Sequence, residues 1–257
     1  MATLATDPIP ENPVPARIGP RAERRFYMSM VIVLMLVVLA GFSHGFYLRP
    51  WVHFPAPKPD LSPFVMLHGL VYTSWMLLLL VQVSLVSAGR RDLHRMIGMG
   101  GFALAALLVP IAYLVGVWQV ARHSGPPIAS PLDWSVVPLS QVPVMVIVLW
   151  LGWKTRRRDL QAHKRLMLGY TLLLLEPAVG RLPLGPPTVE ANAVAGVLAL
   201  LPFLVLFAWD WYSRGRLHWA SIVAASLASG AAVFRNWFLF HPGEWERIAP
   251  YFPGVGA

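Results

Sequence analysis

The chain has no cysteine among its 257 residues. Disulfides, thiolate metal sites, iron–sulfur clusters and covalently attached haem are thereby excluded. Charge is scarce too: Asp, Glu, Lys and Arg make up 13% of the sequence, where a soluble domain carries about a quarter. The lysines, Lys58, Lys154 and Lys164, all stand in connections or at the edge of an apolar run, so the buried lysine of a retinal protein is missing. No two of the eight histidines are three or four residues apart, which removes the clustered histidines of a membrane di-iron desaturase. Neither H-E-x-x-H nor a phosphate-binding G-x-x-x-x-G-K-[ST] occurs. The glycines of GMGG at 98–101 fall in a helix start, where they serve close packing better than phosphate binding.

What remains is apolar, 56% of the residues, with a mean hydropathy of +0.58. Seven runs are nearly or wholly free of charge: Phe26–Leu48, Pro63–Gly89, Met96–Ala121, Trp134–Trp153, Leu166–Leu184, Ala191–Trp209 and Leu217–Phe240. A spanning helix needs about 20 mostly apolar residues, and backbone groups in lipid must be bonded within their own segment, so the runs predict helices rather than strands. The fifth is weakest, because Glu176 and Arg181 interrupt it. The expectation is an all-α, polytopic bundle of seven transmembrane helices over residues 26–240. A disordered, Pro-rich cytoplasmic tail over 1–25 precedes it and a short external tail over 241–257 follows. The first 25 residues lack the apolar core of a signal peptide.

The basic excess is not a nucleic-acid signal, because it is sorted by connection. Fifteen basic residues precede the first run or fill the second, fourth and sixth connections, among them Arg90, Arg91, Arg95, Lys154, Arg156, Arg157, Arg158, Lys164 and Arg165. Five, Arg49, Lys58, Arg122, Arg181 and Arg247, lie on the other side. By the positive-inside rule this places the N-terminus in the cytoplasm and the C-terminus outside.

Two of the basic connections share a phrase. SAGRRDLHRMIGMGG at 87–101 returns as KTRRRDLQAHKRLMLGY at 154–170, each with a proline (Pro110, Pro177) in the helix that follows. Helices two–three and four–five are therefore candidate parallel repeats, although any cytoplasmic turn selects basic residues without a duplication. Asp92 and Asp159 suit helix N-termini, which puts His94 and His163 in or near a first turn, as neutral hydrogen-bonding groups or as a paired cytoplasmic site.

The same residues carry a resemblance. HGLVYTSWMLLLLVQVSLVSAGRRDLHRMIGMGG, followed by RRRDLQAHKRLMLGY, RLP and RGRLH, resembles a family of uncharacterised bacterial multi-pass membrane proteins over about residues 48–218. The resemblance implies a shared fold and a bacterial inner-membrane location. It implies no activity.

An ionisable group inside the bilayer is expensive and a functional candidate by default. At 1.5 Å per residue, Glu176 falls roughly 17 Å and Arg181 roughly 24 Å from the cytoplasmic side, His44 and Arg235 roughly 28 Å, and His68 about 8 Å below the outer face. Five groups thus gather in the outer half. Glu176 and Arg181 do not share a helix face well, so an interhelical Glu176–Arg235 pair is the better structural expectation. As a functional site, Glu176, Arg181 and Arg235 would line a polar pocket, and His44 and His68, on neighbouring antiparallel helices, would suit the axial positions of a haem b or a quinone headgroup. That pattern predicts a membrane protein binding a redox cofactor or lipophilic ligand. The alternatives are a small proton- or cation-coupled transporter using Glu176, and a structural or assembly subunit. Ala220, Ala224, Ala228 and Ala232, flanked by Ser221, Ala225 and Ser229, predict close packing of the last helix; Pro202 predicts a kink in the sixth. Most tryptophans sit near run ends, as an interfacial belt requires, while Trp75 and Trp150 are expected in the core.

Overall fold

A computed structural model of the chain describes residues 18–52, 61–183 and 185–255. Residues 1–17 of the expected tail, and Lys58, lie outside the described residues. The first helix, α1, runs Pro20–Phe42, so residues 20–25 of that tail are helical instead. Pro20 at the first helical position and Glu23 in the first turn explain the early start. A single π-turn, Ser43–Tyr47, extends α1. There follow α2 (Pro63–Ser87), α3 (Arg91–Ala121), a short α4 (Pro131–Trp134) leading directly into α5 (Val136–Thr155), α6 (Leu160–Leu173), a single turn α7 (Glu176–Val179), α8 (Val189–Arg214) and α9 (Trp219–Phe240). The described residues contain no strand.

Six of these helical stretches are long and apolar enough to cross a membrane: 20–47, 63–87, 91–121, 131–155, 189–214 and 219–240. The fifth apolar run is not a seventh continuous helix. It is α6 and α7, broken after Leu173. Yet α6 is the axis of the bundle. Its residues Leu168–Leu173 are all buried; it packs on α5, α9 and α8. Trp75 Nε1 of α2 donates to Thr171 Oγ1 at 3.2 Å, and the Tyr170 hydroxyl donates to the Ala105 carbonyl of α3 at 2.7 Å. The long helices close around it through contacts of α1 with α2, α2 with α3, α3 with α5, α5 with α9, and α9 with α8, while α7 touches both α1 and α8. Large apolar side chains cover the outside of the bundle, Val233 being 71% and Leu204 60% exposed. A bilayer would cover such a surface; water would not favour it.

Close approaches use small residues. A Cβ on Gly41 would run into the Ala178 carbonyl, which fixes α1 on α7. One on Gly169 would stand 2.8 Å from Ala224 Cβ, where α6 meets α9. On α9, Ala220, Ser221, Ala224, Ala225, Ala228 and Ala232 are buried, whereas Ser229 faces out. α8 continues as one helix through Pro202. Trp75 is in the core, but Trp150 is exposed, with Lys154 over its ring. The C-terminal segment does not hang free: Trp245 is buried and donates to Ser135 Oγ at 2.9 Å, and Tyr113 donates to the Pro253 carbonyl at 2.7 Å. Residues 256–257 lie outside the described residues.

Candidate functional site

The break between α6 and α7 follows from one residue. A helical residue 177 would donate its amide to the Leu173 carbonyl, and Pro177 has no amide to give. Gln141 of α5 takes its place: Nε2 donates to the Leu173 carbonyl at 2.8 Å. Leu174 and Leu175 tighten into three-residue turns on Thr171 and Leu172. Irregular backbone is tolerated in an apolar bundle where protein encloses it, and here Gln141 and the surrounding helices do so.

Glu176 begins the next turn and pairs with Arg235 Nη2 of α9. The two side chains are 14% and 4% exposed. They border a cavity of about 10 Å³ whose other walls are Gln141, Leu172, Leu173, Gly196, Ala199, Leu200 and Ala228. Gly196 of α8 leaves the room: a Cβ there would stand 3.3 Å from Arg235 Nη2 and 3.4 Å from Glu176 Oε1. Two enclosed polar atoms, Arg235 Nε and Gln141 Oε1, have no hydrogen-bond partner among the described residues.

Other candidates from the sequence do not join this pair. Arg181 is exposed, turns back to donate to the Pro177 carbonyl at 2.6 Å, and lies over the Phe42 ring at 4.6 Å. His44 is exposed on the π-turn. His68 is half-buried against Tyr72, ring centroids 4.4 Å apart, and its enclosed Nδ1 has no hydrogen-bond partner among the described residues. Between that turn and α2 the space is filled: the Phe46 ring sits on Gly69, and Tyr47 bonds Thr73 at 2.8 Å. This arrangement gives a bis-histidine haem or a quinone headgroup at His44 and His68 no support.

The repeated histidines come nearer to each other. His163 Nδ1 donates to the Gly152 carbonyl at 3.0 Å, and His94 Nδ1 accepts from the Gln82 amide in the orientation that also lets Gln82 accept from the Gly98 amide. Each ring has a fixed protein partner, and the two are close enough for charge on one to act on the other. Asp159 caps α6, accepting from the Ala162 amide at 2.9 Å. Asp92 differs: it lies inside the first turn of α3 and reaches Arg90 at 3.4 Å.

A second buried ion pair escaped the sequence reading. Arg165 of α6 and Asp210 of α8 are fully buried and meet at 2.6 Å and 2.8 Å. Arg165 also donates to the carbonyl and side chain of Gln161, at 3.0 and 2.6 Å. Asp210 accepts in addition from the His218 amide at 3.0 Å, and His218 Nδ1 accepts from the Ala220 amide at 3.1 Å, capping α9. Burial, reinforced by the nearby Arg165 charge, pushes the His218 imidazole down to about 4. The signal was weak, since Arg165 reads as one more basic turn residue and Asp210 as a charge just past an apolar run. Among the described residues no three His, Asp or Glu side chains gather as a metal site. Comparison with family models, curated proteins and solved structures finds no match for this chain.

Proposed function

We propose that the chain is a small ion-coupled transporter of the bacterial inner membrane, with the N-terminus in the cytoplasm, the C-terminus outside, and Glu176 as its coupling carboxylate. In this reading α6 and α7 complete a seventh crossing inside the ring of six long helices. The observation that carries it is the enclosed Glu176–Arg235 pair at the interruption of the central helix. Discontinuous helices at the core of a bundle, with an ionisable group beside the break, are how many carriers build an ion site. The positive-inside asymmetry and the resemblance to bacterial multi-pass membrane proteins support the location and orientation.

The step at the site is a change of charge. With Glu176 ionised the pair is neutral and holds α7 against α9. Neutralising Glu176 leaves Arg235 as an uncompensated buried cation, which favours a rearrangement of the single-turn α7 between α1, α8 and α9.

A salt bridge serving only as structural glue makes a different prediction, and two variants separate the readings. Glu176→Gln with Arg235→Gln removes both charges and restores much of the stability that Glu176→Gln alone loses. Uptake of radiolabelled solutes of different charge classes into membrane vesicles, driven by an imposed pH or sodium gradient, stays absent in the stable double variant if Glu176 couples transport. A double variant that accumulates solute as the wild type does would reject the proposal.

A further inference from the structure

We infer that the ion handled at this pair is a proton, relayed by one water held between Arg235 Nε, Gln141 Oε1 and Glu176, and not a metal cation. The inference rests on the transporter reading for its role, but the site itself is argued from geometry. The cavity of about 10 Å³ is the size of one water. The Gln141 amide cannot turn over, because its nitrogen is bonded to the Leu173 carbonyl and an oxygen there would face oxygen. Its Oε1 is therefore a fixed, enclosed acceptor without a partner among the described residues. Arg235 Nη2 is committed to Glu176, so the enclosed Nε is a separate donor, also without a partner among those residues. Buried polar groups that no side chain satisfies are the usual hosts of internal water. A water accepting from Nε and donating to Oε1 keeps its second proton for the carboxylate.

A bare cation fits the same space poorly. It would find the oxygens of Glu176 and Gln141, but it would stand beside the Arg235 guanidinium on the same cavity wall, and like charges repel. A proton has no such conflict. It passes from the water to a Glu176 oxygen, the water is replenished with a proton from solvent, and the pair goes from neutral to a single positive charge on Arg235. Of the elements packed around Glu176, α9 brings Arg235, α5 brings the non-titrating Gln141, α8 brings Gly196, Ala199 and Leu200, and α6 brings Leu172 and Leu173. α1 brings Gly41 against Ala178, and the cation on the same connection, Arg181, is turned onto Phe42. Among the described residues Arg235 is the charge that acts on Glu176.

Infrared difference spectroscopy on the purified full chain in lipid nanodiscs tests this without a substrate. The wild type shows an O–H band that shifts in H2(18)O and disappears in Gln141→Leu and, by filling the cavity, in Gly196→Ala. It also shows a protonated-carboxyl band, absent in Glu176→Gln, whose pH titration is unchanged when choline is replaced by sodium, potassium or magnesium. A wild type without the water band, or a titration displaced ten-fold or more in proton concentration by one of the cations, overturns the inference. The two failures remain distinct. Intact bands with solute uptake that survives in the double Gln variant reject the transporter and leave the proton site standing; lost uptake with a cation-displaced titration does the reverse.

Discussion

Among the described residues Glu176 and Arg235 are paired with each other in a largely apolar surround. Removing one partner leaves the other charge buried, a change that typically costs ~3–5 kcal/mol. Glu176→Gln should therefore lower the melting temperature of the detergent-solubilised protein markedly, and adding Arg235→Gln should restore most of it. A double variant that loses the sum of the two single losses would show that the residues do not interact. Both residues were legible in the sequence as charges interrupting apolar runs. Gln141 was not, although a lone amide in the run 134–153 was the available sign. Its importance depends on Pro177, 36 positions away in the chain, and only the fold puts the freed Leu173 carbonyl in its reach.

At the scale of elements, the fifth apolar run is the instructive case. Low apolarity marked it as the weakest span, but the physical cause lies in position: enclosed by six long helices, α6 meets protein rather than lipid and can carry Arg165, Tyr170, Thr171 and a break. Hydropathy reports what faces lipid and is silent about the axis of a bundle. Contacts among elements give two predictions. Gly41→Ala drives a methyl into the Ala178 carbonyl, and overpacking of this kind costs ~1–3 kcal/mol; the loss of stability should exceed that of Gly230→Ala, where the added methyl meets open space. His218 supplies the second. Its ring must be neutral to accept the Ala220 amide, and its folded value of about 4 lies below the ordinary imidazole value of about 6.5. Between these two pH values the unfolded chain binds the extra proton, so the contribution is full above about 6.5 and is lost as pH falls toward 4. His218→Asn keeps a cap for α9 and should flatten the dependence of melting temperature on pH across that window. An unchanged slope would assign the dependence to other groups.

For the whole molecule, the all-helical membrane character was plain from apolar runs, while the count of crossings depends on whether α6 and α7 together pass from one side to the other. The orientation proposed from the charge asymmetry has a direct test: a reporter active only in the cytoplasm should be silent after Ala257 and active when inserted within Thr155–Gln161. Activity at the C-terminus with silence at the insertion would reverse the topology. The absence of native cysteine allows a cleaner test of the central claim, that Glu176 stands inside the membrane on a broken seventh crossing. Single cysteines at Arg158→Cys, before α6, and Pro187→Cys, between α7 and α8, occupy exposed positions on either side of the segment. A membrane-impermeant maleimide applied to intact spheroplasts should label Pro187→Cys and leave Arg158→Cys untouched, and inverted vesicles should give the opposite pattern. Labelling of both from the same side would make α6 and α7 a re-entrant excursion, reduce the crossings to six, and contradict the account.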